Sequence, residues 1–304
     1  YDEITDFANY AFNKAHAVCY AIVAYQTAWF KCHYPREYMA ALLTSVLDSQ
    51  GKIAEYIAEC RSLGIRLLPP DINQSGPDFT VAGRDIRFGL AALKGVGRGF
   101  TNAVLARRQA DGPFTSFPDF CQRLLDEDLN KRVLESLIRC GAFDSFGHKR
   151  SQLLRVYEQV LDSSANERRK NIEGQIDLFA AVEEEQPREI PLPDIPEFPR
   201  NELLNMEKQT TGIYLSGHPL EAQKELIQTI GARPIGQILA AFGQEEGDVV
   251  QPTDLQDGMF VTVAGVVSAF KLTTTKNNTA LAYVTLEDMN GALEMLVFQK
   301  ALDE

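Results

Sequence analysis

The 304-residue sequence predicts a multidomain, mainly α-helical chain that finishes in a strand-rich segment. Three observations predict it. Apolar residues recur at helical spacing over most of residues 6–170, with Gly, Pro or Asp at each break. Five prolines (Pro187, Pro191, Pro193, Pro196, Pro199) and a glutamate run then interrupt any helix. After residue 257 the pattern changes to runs of β-favouring residues separated by turn signals.

Each element follows from local chemistry. From about Asp6 to Leu63, Ala17, Tyr20, Ala21, Ala24, Thr27, Ala28 and Lys31 recur at helical spacing, with Ile22, Tyr25 and Trp29 beside them. Pro35 marks a break before a second helix, Arg36 to Leu47. A third helix, Lys52 to Ser62, ends at Gly64, a suitable residue just past a helix end. Pro69-Pro70-Asp71 stops helix formation, because proline lacks an amide donor and restricts its predecessor. A short extended segment is expected between Thr80 and Arg87. Helices are expected at Leu90–Leu93, Arg98–Ala110, Phe117–Leu125, Asn130–Arg139 and about Lys149 to Arg169. Helical and mixed elements resume at Glu202 and reach about Gln251. Strands then fill Phe260–Phe270, Ala280–Leu286 and Ala292–Phe298, joined by turns at Lys276-Asn277-Asn278 and Asn290-Gly291. Three strands do not close a barrel, so this last domain is expected to be cut short.

The net charge of -12 by itself argues against a nucleic-acid partner, but its distribution points the other way. Between Glu173 and Asp257 there are 17 acidic and 5 basic residues, which accounts for the entire excess. Between Arg84 and Lys170, 16 basic residues outnumber 11 acidic ones. Local charge sets the field at a binding surface, so the middle third is admissible as a nucleic-acid face. The five cysteines (Cys19, Cys32, Cys60, Cys121, Cys140) are odd in number and never form a Cys-x-x-Cys pair. That argues against a disulfide framework and a zinc site, and favours a reducing cytoplasm. There is no signal peptide and no apolar run of membrane-spanning length. The chain starts with Tyr and stops inside the strand-rich part, so a fragment of a larger protein is expected. No phosphate loop of the Gly-rich Lys-Ser/Thr type is present, no nucleophile elbow, and no strand-borne carboxylate pair to hold two magnesium ions. Asp2, Glu3 and Asp6 cluster, but nothing supports metal binding by them, and no metal site is assigned.

The best-defined motif is Leu90-Ala91-Ala92-Leu93-Lys94-Gly95-Val96-Gly97-Arg98-Gly99, an apolar turn of helix leading into Gly-Val-Gly and a second helix. This is the pattern of a helix-hairpin-helix. The hairpin backbone must reach φ values that other residues avoid and approach a phosphate with no Cβ in the way. Amides at the start of the following helix favour an anion, and Lys94 and Arg98 add contacts that carry no sequence information. The alternative is an ordinary helix-turn-helix with a glycine-rich bend. A looser second copy leads from Asn130–Arg139 into Gly141-Ala142-Phe143-Asp144-Ser145-Phe146-Gly147, or else completes the core of a paired domain. The strand-rich end is consistent with the start of an oligonucleotide/oligosaccharide-binding (OB) barrel, in which sheet aromatics stack exposed bases. Phe270, Tyr283 and Phe298 are candidates there, with Lys271 and Lys276 beside the backbone path, although most strand aromatics are core. Near the start, Lys14, His16 and Arg36 are candidates for triphosphate or template contacts, against the commoner fate of a solvated charge.

One further peptide, Gln175-Ile176-Asp177-Leu178-Phe179, lies in a polar stretch before Glu183-Glu184-Glu185. An adjacent Leu-Phe pair with no apolar neighbour is an anchor for a partner's pocket. Such peptides resemble those that dock on the bacterial sliding clamp, although a match of three residue types also arises by chance.

Taken together, these strings resemble the α subunits of bacterial DNA polymerase III, the C-family replicative polymerases. The resemblance runs through Phe12-Asn13-Lys14-Ala15-His16-Ala17, Tyr25-Gln26-Thr27-Ala28-Trp29, His33-Tyr34-Pro35 and Leu68-Pro69-Pro70-Asp71-Ile72-Asn73. It continues through the hairpin Ala92 to Gly97, Asn130-Lys131-Arg132-Val133-Leu134-Glu135, the clamp peptide, and Thr211-Gly212-Ile213-Tyr214-Leu215-Ser216-Gly217-His218-Pro219. It implies distal fingers over residues 1–75 and a tandem helix-hairpin-helix DNA-binding region over 76–170. The clamp-binding peptide and linker then occupy 171–200, a connecting segment 201–257, and a truncated OB-fold 258–304. It also implies template-directed deoxynucleotide addition by the intact subunit, with Mg2+ held by carboxylates upstream of this chain and none bound here. The fragment alone is expected to be inactive. The implied partners are primer-template duplex and single-stranded template DNA, the sliding clamp through Gln175, Asp177, Leu178 and Phe179, deoxynucleoside triphosphates, and other holoenzyme subunits. DNA contacts are expected from Lys94, Gly95, Val96, Gly97, Arg98, Phe270, Lys271 and Tyr283. Ala15 departs from the serine of many relatives, which removes any hydroxyl contact there.

Three other readings compete. An error-prone polymerase paralogue is disfavoured by the intact clamp peptide. A non-enzymatic DNA-binding adaptor built from hairpin and OB modules has no use for the Phe12–Pro35 string. An RNA-binding or synthetase appendage leaves the clamp peptide unexplained.

Overall fold

Three helices form from the first periodic stretch: α1 (Lys14–His33), α2 (Pro35–Ser45) and α3 (Gln50–Ser62). Pro35 opens α2 at its first position, where the missing amide has no intrahelical partner to lose. On α3, Ile53, Ile57 and Cys60 are fully or almost fully buried, and their spacing places them on one stripe. The Gly64 amide bonds the Arg61 carbonyl and the Ile65 amide bonds that of Cys60, the paired bonds of a left-handed glycine stop. In α1 no residue is buried, although it carries Tyr20, Ile22, Val23, Tyr25 and Phe30.

The computed structural model describes residues 14–172, 190–242, 254–275 and 279–303. The clamp peptide Gln175 to Phe179, the acidic residues near the start, and the expected turn at Lys276-Asn277-Asn278 lie outside the described residues. The chain divides into two units, Tyr1–Leu215 and Ser216–Glu304.

In the first unit, the extended stretch before Arg87 folds as a small hairpin, β2 (Thr80–Ala82) with β3 (Asp85–Arg87). A two-residue strand, β1 (Leu67–Leu68), adds to it in parallel, so the sheet order is β1-β3-β2. The helix expected at Leu90–Leu93 is a single 3-10 turn, Leu90–Ala92, because Gly89 before it and Leu93 after it are extended. Helices α4 (Arg98–Asp111), α5 (Phe117–Leu124), α6 (Lys131–Arg139) and α7 (Arg150–Ile172) follow. The hydroxyl of Ser116 accepts from the Asp119 amide, and the Asn130 side chain accepts from that of Val133, so α5 and α6 start on ordinary N-caps. After the undescribed segment, α8 (Arg200–Thr211) closes the unit.

A hydrophobic core runs from Met39 to Ile213. It takes Ile53, Ile65 and Ile72 on one side of residue 75, and Ile86, Phe100 and Leu137 on the other. At its centre Phe114, Phe117, Phe120 and Phe143 meet edge to face, with centroids 5.0 to 5.1 Å apart.

The second unit holds α9 (Lys224–Thr229), α10 (Ile235–Phe242), strands β4 (Val266–Thr274), β5 (Ala280–Glu287) and β6 (Ala292–Phe298), and a last turn, α11 (Gln299–Leu302). The strands form the expected antiparallel meander in the order β4-β5-β6. The first begins six residues later than Phe260; residues 259–265 have no regular structure and Phe260 is fully exposed. At the Asn290-Gly291 turn, the Asp288 carboxylate accepts from both amides and from that of Ile235, which fastens α10 to the sheet. Among the described residues the sheet is three-stranded and open.

Candidate nucleic-acid interface

The first hairpin presents its backbone outward. Gly95 has φ +82°, a conformation that a side chain disfavours. Val96 is the inward anchor, 5% exposed, with its amide bonded to the Leu93 carbonyl. Lys94, Gly95, Gly97, Arg98 and Gly99 are all exposed. The Lys94 amide donates to the Thr210 carbonyl at 2.8 Å, so the C-terminal end of α8 braces the turn. Among the described residues no side chain caps the start of α4, whose N-cap is Gly97. The two cations flanking the turn differ. The Arg98 guanidinium pairs with Asp78 at 2.5 Å, whereas Lys94 makes no ion pair among the described residues.

The second turn is built differently. At Gly141, φ is +83°, and a Cβ there would collide with the Arg150 guanidinium. Arg150 fills the turn, bonding Asp144 at 2.7 Å, Glu207 of α8 at 3.2 Å and the Arg139 carbonyl at 3.1 Å. Burial opposes the Arg150 charge, but its hydrogen bonds and attraction to Asp144 and Glu207 outweigh that and hold its pKa above the usual value. At the start of α7, Glu197 takes the place an external anion would occupy. Its two oxygens accept from the Arg150 amide at 2.7 Å and the Ser151 amide at 3.0 Å. Residues 190–199 are therefore seated on α7, with Gln152 donating to the Pro193 carbonyl, Lys149 to that of Ile195 and Ser151 to that of Pro196. Of the two turns, the first is the one whose exposed amides have no carboxylate on them among the described residues.

The remaining candidates do not all converge. Opposed residues on antiparallel strands share a face. Lys271 stands opposite Tyr283, and Tyr283 opposite Leu296, while Phe298 opposes Leu281. One sheet face thus carries Lys271, Tyr283, Leu296 and Phe298, with Leu296 and Phe298 more than half exposed. Phe270 opposes Val284 on the other face. Lys14 and His16 are at the start of α1, and the His16 ring lies 4.4 Å from that of Tyr20. Arg36 sits beyond the other end of that 20-residue helix, roughly 30 Å away along its axis. Its guanidinium donates to the Gly83 carbonyl at 3.2 Å.

Sequence reasoning passed over two residues of this surface. Arg132 of α6 lies against Gly95: an ideal Cβ on the glycine would be 3.5 Å from Arg132 Nε. Glu197 sits in the proline-rich stretch and carried no local signal of its capping role. Among the described residues, no group of three or more His, Cys, Asp or Glu is placed to hold a metal ion, so no step through magnesium is assigned to them. No described helix is long and apolar enough to cross a membrane.

The first unit carries a helix-hairpin-helix region: the family profile described as the helix-hairpin-helix motif matches residues 64–153. Along its whole length the chain is similar to DNA polymerase III subunit alpha of several bacteria. It is 40% identical over 308 residues to that of Saccharopolyspora erythraea, covering 99% of this chain and 25% of that protein. The Thermus aquaticus protein is 40% identical over 303 residues, covering 100% of this chain and 23% of that protein. For Escherichia coli the identity is 35% over 307 residues, covering 100% and 25%. At 35–40% identity, DNA polymerase III α subunits thus match this chain from end to end. It spans about a quarter of the length of the curated relatives it matches.

Proposed function

We propose that this chain serves a replicative DNA polymerase by gripping the nucleic-acid backbone and tethering the enzyme to its sliding clamp. The observation that carries the reading is the first hairpin, an exposed glycine turn beside a helix start that no side chain caps among the described residues. It lies inside a chain similar throughout to DNA polymerase III subunit alpha. Contacts of this kind hold the duplex in register without reading bases, which suits an enzyme that must work on every sequence. The exposed face of Lys271, Tyr283, Leu296 and Phe298 is the part suited to a single strand, as the start of an OB-fold would be. Lys14 and His16 are assigned to the neighbourhood of incoming nucleotide or template. Nucleotide addition itself, with its deoxynucleoside triphosphates, Mg2+ and other holoenzyme subunits, belongs to the intact DNA-directed DNA polymerase, working in the cytoplasm.

The test is affinity of the chain for a bacterial sliding clamp, with Leu178→Ala/Phe179→Ala as the comparison. Binding that is lost in the double variant supports the clamp-tethering role. Equal affinity of the two proteins, or no binding by either, removes it and leaves a DNA-binding segment, as in an error-prone paralogue or an adaptor.

A further inference from the structure

We propose that Arg132 is a phosphate contact of the first hairpin, supplied to it by the first turn of α6 in the second motif. The proposal rests on the reading of that hairpin as a grip on the nucleic-acid backbone. It begins from the proximity of Arg132 Nε to the Cβ position of Gly95, with Ser136 Oγ 3.8 Å from the same point. The guanidinium therefore lies against the outward glycine turn although it is remote in sequence.

Charge accounting singles it out from its neighbours. Arg98 is held by Asp78, Lys131 by Glu158 at 2.8 Å and Asp162 at 3.7 Å, and Arg139 by Glu135 at 2.8 Å. Arg132 and Lys94 are both exposed, and among the described residues neither has an ion pair. A guanidinium with no carboxylate keeps its fork of donors for an incoming anion, and a phosphodiester takes two of them in parallel. Arg98 must first release Asp78, which offsets part of what a phosphate would return. The ligand class is the phosphodiester backbone of a nucleic acid, because an exposed glycine turn lets a phosphate approach the main chain closely, and a guanidinium lying against that turn meets the same phosphate. Two motifs thus build one site: the first supplies the turn and Lys94, the second supplies Arg132.

The experiment is binding of the full chain to fluorescent duplexes of two unrelated sequences across a salt series of about 50 to 200 mM, with Arg132→Ala, Arg132→Lys, Lys94→Ala and Arg98→Ala. Arg132→Ala should weaken both duplexes by a similar factor, several-fold, and reduce the salt slope by about one. Arg132→Lys should restore the slope and only part of the affinity, and Arg98→Ala should cost less than Arg132→Ala. An unchanged thermal midpoint is expected, since the side chain is exposed and holds no carboxylate. If Lys94→Ala weakens binding while Arg132→Ala leaves affinity and slope unchanged, the Arg132 assignment is overturned and the hairpin reading survives. If neither variant changes binding, both fall together. A loss confined to one duplex overturns the phosphate role.

Discussion

Asn73 and Phe114 hold each other by two hydrogen bonds across 41 residues of chain. The Asn73 side-chain nitrogen donates to the Phe114 carbonyl at 2.8 Å, and its oxygen accepts from the Phe114 amide at 2.8 Å. Asp71 shapes the same loop by accepting from the Asn73 and Gln74 amides, and the Ile72 amide reaches the Ala142 carbonyl. The string Leu68 to Asn73, met as a family resemblance, is thus a fastening between the loop after β1, the entry to α5 and the second hairpin.

Replacing Asn73 by Ala leaves both backbone groups of Phe114 without partners. A loss of about 1–3 kcal/mol is expected, read as a lower urea midpoint with an unchanged slope. Asn73→Asp keeps the acceptor and loses the donor, so it should fall between the two. Equal midpoints for wild type and Asn73→Ala would show that water replaces both bonds.

The Glu197 cap predicts a pH dependence. Burial pushes the Glu197 carboxyl up, but the amides of Phe198, Ser151 and Arg150 outweigh that and hold it below the usual carboxylate range. A carboxyl depressed in the folded chain stabilises it fully above the ordinary carboxylate range, and the contribution is lost as pH falls through the lowered value. Glu197→Gln should therefore be less stable than wild type at neutral pH, by about 0.5–2 kcal/mol as for other helix caps. The gap should close in acid. Urea midpoints of both proteins from neutral pH down through the carboxylate range would show it; a constant gap would mean that shape, not charge, holds the strap.

Thiol reactivity should divide the cysteines into two sets. Cys19 and Cys32 are exposed on α1, whereas Cys60, Cys121 and Cys140 are buried. Burial pushes the Cys60 thiol up to about 11 and that of Cys140 up to about 12, and raises Cys121 also. Intact-mass analysis after maleimide treatment of the native chain should show two adducts, rising to five in urea. Three or more under native conditions would mean that the core around α3, α5 or α6 opens.

Much of the architecture is legible in the sequence because it is local. The helix from Lys52 to Ser62 with its stop at Gly64 is readable from spacing and glycine, whereas Ser116 and Asn130 emerge as N-caps only in the structure, which starts the helix after Asn130 at Lys131. An apolar run does not declare how many of its residues are helical, so the 3-10 turn at Leu90–Ala92 reads from sequence as a longer helix. A start of β4 at Phe260 fails for a related reason: β-favouring residues mark the capacity to pair, and residues 259–265 have no regular structure. Phe270 and Lys271 illustrate a signal that was available. Neighbours on a strand point to opposite faces, so the alternation already places the two on different sides of the sheet.

The sequence by itself determined where most helices and strands form, that glycine suits position 95, and which family the chain resembles. Those are short-range matters of dihedral freedom, capping and periodicity. Only the tertiary structure decided which charges are available. Asp78 takes Arg98, Glu197 closes the start of α7, Arg150 fills the second turn, and Arg132 arrives beside the first. The physical reason is that an ion pair or a cap depends on distances of a few ångströms between residues far apart in the chain. Those distances exist only once the common core from Met39 to Ile213 has formed.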